Sequence, residues 1–163
     1  MFFLKAIIAT QELLVYQDDK LVKTYAISTA KNGAGEVFGS EQTPRGLHQI
    51  RAKIGRNVPP NTVFVKRRPT GEIYSPELKN LYPDRDWILT RIFWLSGLEV
   101  GKNRLGKVDT MRRYIYIHGT PDDTKMGQPG SKGCIRMRNH DLIEMFNIVP
   151  CFTSLLIQET LDS

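Results

Sequence analysis

Residues 114–118, Tyr-Ile-Tyr-Ile-His, alternate a ring-bearing side chain with isoleucine and run into Gly119. A period of two belongs to extended chain. Tyr114, Tyr116 and His118 are therefore predicted on one face of a strand, with Ile115 and Ile117 on the other. The isoleucine face needs a core to cover it, which commits this region to a packed sheet. Residues 87–95 are apolar on both faces, as a central strand would be, although periodicity alone also admits a buried helix.

The rest of the chain reads in the same idiom. Residues 1–10 read as a first strand. Residues 12–16 and 21–28 flank Gln17-Asp18-Asp19-Lys20, a hairpin turn. Gly33, Gly35 and Gly39 mark a loop, and residues 47–54 form another apolar run. Pro59-Pro60 then breaks the chain before residues 62–65. Ser75-Pro76 is a helix start, serine as cap and proline at the first helical position, for a short helix to about Asn80. Asn139 is predicted to cap a second helix to about Asn147, with Asp141 near its positive end and Leu142, Met145 and Phe146 buried. Residues 154–158 form a last strand. The expected fold is mostly β with one or two short helices, a single domain over residues 1–163, with no repeat or linker.

No apolar stretch reaches the roughly 18 to 20 residues that cross a bilayer. Residues 1–10 superficially suggest a signal peptide, but Lys5 interrupts the run and no small-residue cleavage site follows. The formal net charge is +6 and unevenly placed: residues 101–140 hold nine Lys or Arg against three Asp, whereas residues 141–163 hold four acids and no Lys or Arg. A basic region taken alone is most simply a solvated face. Around a reactive site it favours an anionic substrate and a lowered thiol pKa. No nucleic-acid recognition motif accompanies it.

Cys134 lies in a glycine-containing turn, Ser131-Lys132-Gly133-Cys134-Ile135-Arg136-Met137. A thiol with a pKa near 8.5 is only a few per cent ionised at neutral pH, so it needs a base. His118 is the candidate, and the Gly119 carbonyl can take its other ring N–H and fix the tautomer. Gly133 permits a sharp turn in which the Gly133 and Cys134 amides converge on a developing oxyanion. A disulfide from Cys134 to Cys151 would silence the nucleophile, so Cys151 reads as a small buried hydrophobe. His48 has no visible partner, and His140 reads as solvent-facing or capping. Cys134, His118, His140 and Asp141 match no zinc-ligand spacing, so no metal is expected. Trp87 and Trp94 read as core, and Tyr114 and Tyr116 either wall a cleft or pack under a loop.

His118-Gly119-Thr120 followed by Ser131-Lys132-Gly133-Cys134-Ile135-Arg136-Met137 resembles the signature of the L,D-transpeptidase catalytic domain (YkuD-like). The likeness extends to the opening hairpin, Thr43-Pro44-Arg45-Gly46 and the apolar ending after Cys151. Lys132 departs from it, standing where many members carry a second histidine. The resemblance implies a β-sandwich or open barrel without a cofactor, acting on peptidoglycan stem peptides through a thioester. Cys134 would be the nucleophile, His118 the base and Gly119 the orienting carbonyl. Arg136 would bind a substrate carboxylate or shape the site, and Ser131 would hydrogen-bond within the turn. An amine acceptor gives a cross-link and water gives L,D-carboxypeptidase activity; a silent wall-peptide-binding module is the non-enzymatic alternative. The implied location is the cell envelope or periplasm, with the cytoplasm as the alternative for a chain lacking an export signal.

Overall fold

The computed structural model describes residues 1–162. Its elements in chain order are β1 (Phe2–Ile7), β2 (Glu12–Gln17), β3 (Lys20–Ser28), β4 (Gly46–Ile54), β5 (Thr62–Val65), β6 (Arg68–Ile73), α1 (Pro76–Leu81), β7 (Ile88–Gly97), β8 (Tyr116–Gly119), β9 (Ile135–Met137), α2 (Asn139–Ile148) and β10 (Ser154–Gln158), with a 3-10 turn at Gly106–Val108. The strands run in the order β4-β10-β1-β2-β3-β9-β8-β7, and a further β4–β7 pairing closes them into a barrel. The β5–β6 hairpin hangs from β7. Closure works because β7 is long enough to divide one edge: Ile88 and Leu89 pair with β5, whereas the stretch from Ile92 to Gly97 pairs with β4.

Residues from both ends of the chain fill the barrel. Leu4, Leu13, Ile27, Ile50, Phe93, Ile117, Ile135 and Leu155 are fully buried in one cluster, which α2 completes with Leu142, Met145 and Phe146. At about 25 cal/mol per Å² of apolar surface, such side chains contribute roughly 1.5–3 kcal/mol each. Phe93 and Phe146 rings meet at 5.3 Å, which ties α2 to β7. In α1, Ser75 Oγ accepts the Leu78 N–H at 3.1 Å and Pro76 opens the first turn, matching the expected start.

Three local expectations are corrected. Tyr114 lies outside β8: the chain turns through Met111–Tyr114, with φ +57° at Tyr114, so the strand begins at Tyr116 and Tyr114 is exposed. The strand predicted from Trp87 begins at Ile88 and extends to Gly97. Asn139 is inside α2 and does not cap it; Arg138 holds the cap position, and the Asn139 amide is drawn into a buried network. No helix among the described residues is long and apolar enough to cross a membrane.

Candidate active site

The parallel β8–β9 pair builds the site. Ile117 is opposite Ile135 and His118 is opposite Arg136, so Cys134 arrives beside Tyr116. Alternation sends Ile117 and Ile135 into the core and leaves Tyr116, His118, Cys134 and Arg136 on the other face. There they line an open cleft of about 540 Å³ together with Lys66, Arg67, Asp86, Ile88, Arg113, Tyr114, Ile115, Ser131 and Lys132.

His118 is buried, and Nδ1 stands 2.6 Å from the Gly119 carbonyl oxygen. A carbonyl only accepts, so Nδ1 carries the proton and Nε2 is the free lone pair in the neutral ring. Burial lowers the imidazole pKa, and Arg136 acts in the same direction. Asp86 and the Gly119 bond oppose it.

Cys134 is partly buried and free of any disulfide, as is Cys151. Its Sγ receives the Tyr116 N–H at 3.3 Å and faces the Tyr114 carbonyl at 3.4 Å. Burial pushes the thiol pKa up to about 12, against the lowering expected from the local positive charge. The Tyr116 N–H, Arg136 and Arg113 do pull it down, but desolvation of the sulfur outweighs them. Both shifts favour a neutral thiol and a neutral imidazole in the cleft.

Ser131 Oγ donates to the Cys134 carbonyl at 2.5 Å and accepts the Gly133 N–H at 3.1 Å. Thr43 Oγ1 closes the turn from the other side by donating to the Gly133 carbonyl at 2.9 Å. The Gly133 amide is thus engaged within the turn and does not point freely into the cleft. Gly133 itself has φ +131°, which explains the residue type. Arg136 donates to the Gly130 carbonyl at 3.1 Å and pairs with Asp86 at 3.6 Å. Tyr116 is buried, with its hydroxyl accepting from Arg67 Nη1 at 3.0 Å.

A second layer stands behind His118. A Cβ on Gly119 would meet Asn139 Oδ1 at 2.2 Å and the Leu89 carbonyl at 2.6 Å, so this strand end can approach α2 and β7 only as glycine. Asn139 accepts from Thr90 Oγ1 at 2.6 Å. Its amide donates to the Thr120 carbonyl at 2.9 Å and lies 3.1 Å from both Asn61 Oδ1 and Asp122 Oδ1. Thr90 has φ +77° at an irregularity in β7, a strained setting for a β-branched residue that brings its hydroxyl to Asn139.

The other histidines and Trp94, none of them read as site residues in the sequence, do not line the cleft. His48 is fully buried between the Gly46 carbonyl and Thr110 Oγ1, each at 2.9 Å. His140 is exposed beside Asp141. Trp94 donates to the Met111 carbonyl and stacks under Arg67. Among the described residues no three His, Cys, Asp or Glu side chains converge as a metal would require. Sequence reasoning missed Lys66, Arg67 and Asp86, because only the barrel topology brings these segments to the β8–β9 face, and it read Asn139 as a cap and not as support for the site.

A sequence model of the L,D-transpeptidase catalytic domain matches residues 3–157. A Bacillus licheniformis protein assigned by name as the L,D-transpeptidase YkuD is 30% identical over 146 residues, 89% of this chain and 58% of its own length. Bacillus subtilis YqjB, assigned to the same activity, is 27% identical over 92% of this chain and 67% of its own length. L,D-transpeptidase 3 of Mycobacterium tuberculosis, solved with a faropenem-derived adduct, shares the fold at TM-score 0.59 and 16% identity, covering 97% of this chain and 60% of that one. Bd1075 of Bdellovibrio bacteriovorus superposes at TM-score 0.61 and 14% identity, over 98% of this chain and 48% of that one. The chain thus spans between about half and two thirds of each of these proteins. With a β barrel, a match over residues 3–157 and the His118–Gly119 and Cys134 segments side by side, the chain belongs to the L,D-transpeptidase catalytic-domain family.

Proposed function

We propose that this chain is a cysteine acyltransferase that cross-links peptidoglycan stem peptides. The observation that carries this reading is the pairing of β8 with β9. It puts a histidine with one nitrogen already committed to Gly119 in the same cleft as Cys134. A basic cleft suits an anionic wall peptide, and the substrate locates the work at the cell wall.

The thiol is protonated at rest, so deprotonation accompanies attack. His118 Nε2 takes the thiol proton as Sγ bonds to the carbonyl carbon of the L-centre of the diamino acid. The Tyr116 N–H supports the sulfur while charge develops. The Gly119 carbonyl holds the Nδ1–H and favours the imidazolium that forms. With Gly133 tied to Ser131, the Cys134 amide is the turn's donor for the oxyanion. His118 returns the proton to the departing amine of D-alanine, leaving a thioester. An acceptor amine then attacks the thioester, its proton passes through His118 to the leaving sulfur, and an amide cross-link results.

The test is incubation with purified tetrapeptide muropeptides, with products followed by mass. Loss of D-alanine with dimer formation supports transpeptidation. Loss without dimers assigns water as the acceptor. Neither product, with Cys134 shown to be reduced, rejects the enzyme.

A further inference from the structure

Lys66 and Arg67 form the two-residue turn between β5 and β6, since Val65 pairs with Arg68. Both have positive φ, 49° and 65°, in a turn whose backbone ordinarily selects Asn-Gly. The strained turn carries cations to the cleft. The Arg67 guanidinium carbon lies 4.7 Å from the ring centroids of Trp94 and of Tyr114, and Nη1 donates to the Tyr116 hydroxyl at 3.0 Å. The planar fork is thereby held in orientation by three aromatic side chains.

None of these contacts neutralises its charge. Among the described residues the arginines in ion pairs are Arg45, Arg85, Arg136 and Arg138, and Arg67 is not one of them. The other cations of the cleft are differently placed. Arg136 already has Asp86, and Arg113 directs its donors to the Gly35 and Gln42 carbonyls and the Ser40 hydroxyl. Lys66 and Lys132 are exposed on unbranched flexible stems. Arg67 alone combines a fixed plane, remaining N–H donors and no counter-charge, the properties that suit bidentate recognition of a carboxylate.

Its place relative to the sulfur follows from Tyr116. The backbone N–H of that residue donates to Cys134 Sγ and its hydroxyl receives Arg67, so the fork stands one tyrosine length from the thiol. In a stem peptide, the isoglutamyl α-carboxylate is separated from the carbonyl under attack by one glutamyl side chain and one peptide bond. The side-chain carboxylate of a diaminopimelate residue has a comparable reach.

We propose that Arg67 binds a free carboxylate of the donor stem peptide and selects such stems over those in which it is amidated or missing. The identity of the ligand rests on the transpeptidase reading above, but the test is one of binding and does not need turnover. The Cys134→Ala protein is titrated calorimetrically with three tetrapeptide stems: isoglutamate with diaminopimelate, isoglutamine with diaminopimelate, and isoglutamate with lysine. Loss of the recognised carboxylate, in one of the two altered peptides, is expected to weaken binding about tenfold, as for one charge-assisted hydrogen-bonded pair. Adding Arg67→Gln should erase that difference, with the weaker peptide bound as before, whereas Arg67→Lys should keep part of it. Equal affinity for all three peptides, binding of none, or a preference that survives Arg67→Gln overturns the assignment. Turnover of the same peptides by the wild-type enzyme, measured in parallel, reports separately on the transpeptidase reading.

Discussion

His118 Nδ1 lies 2.6 Å from the carbonyl oxygen of Gly119, its own neighbour in the chain, and this bond leaves Nε2 as the nitrogen able to accept a proton. A backbone carbonyl takes the place that a carboxylate holds in other nucleophile–histidine arrangements. It orients the ring without adding a full negative charge to a buried site.

The neutral resting pair predicts a particular pH dependence. Burial lowers the His118 pKa, so the base form persists below the ordinary histidine value near 6.5. The acid limb of kcat/KM should therefore fall below pH 6.5. The thiol, raised to about 12, should show iodoacetamide reactivity that climbs through the alkaline range with no plateau near 8.5. A plateau of alkylation at neutral pH would identify a resting thiolate–imidazolium pair and contradict this account.

Replacing Gly119 by alanine should damage both stability and turnover. The added methyl would press on Asn139 Oδ1 and the Leu89 carbonyl, and neither can give way freely. Overpacking of this kind costs about 1–3 kcal/mol and would displace the carbonyl that holds His118. Denaturant unfolding and kcat together check this; a variant with wild-type values for both would show that the close approach is unnecessary.

Asn139→Leu should be destabilising despite being more apolar. It removes the acceptor of Thr90 Oγ1 and the donor to the Thr120 carbonyl, leaving buried polar groups unpaired at about 1–3 kcal/mol each. Urea titration should show a lowered midpoint. The loss of turnover should exceed the unfolded fraction, since Thr120 follows the His118–Gly119 strand end directly. A stability equal to wild type would remove the network from the account.

His48 supplies a prediction away from the cleft. Burial depresses its pKa to about 4, so the folded protein keeps it neutral while the unfolded chain takes up a proton below about 6.5. Stability from this group is complete above pH 6.5 and declines as the pH falls towards 4, by about 3 kcal/mol in all. His48→Gln should flatten that part of the stability curve measured by urea unfolding between pH 7 and 4. An unchanged slope would show that another group dominates.

The local signals that sequence carries best were those set by one element alone. The 116–118 alternation predicted the shared face of Tyr116 and His118, and Ser75-Pro76 marked α1, because period and capping are short-range. Tyr114 misled because a turn with positive φ is invisible in an alternating pattern. Asn139 looked like a cap because a helix start is where asparagine is common, whereas Thr90 and Thr120 claim its side chain from distant positions. Arg67 and Asp86 reach the cleft only through β7, which pairs with β8, carries the β5–β6 hairpin and is entered from Asp86. The raised thiol pKa was hidden for the same reason: charge can be counted in a sequence, but desolvation depends on packing.

The central claim is that Cys134 carries the acyl group and His118 moves its proton. Intact-protein mass spectrometry after brief exposure to a tetrapeptide stem without acceptor tests it most directly. The account predicts an adduct equal to the tetrapeptide less D-alanine, mapped to Cys134. It should be absent from Cys134→Ala and should form about 10²–10⁴-fold more slowly in His118→Ala. D-alanine release by Cys134→Ala, or an adduct on any other residue, would contradict it.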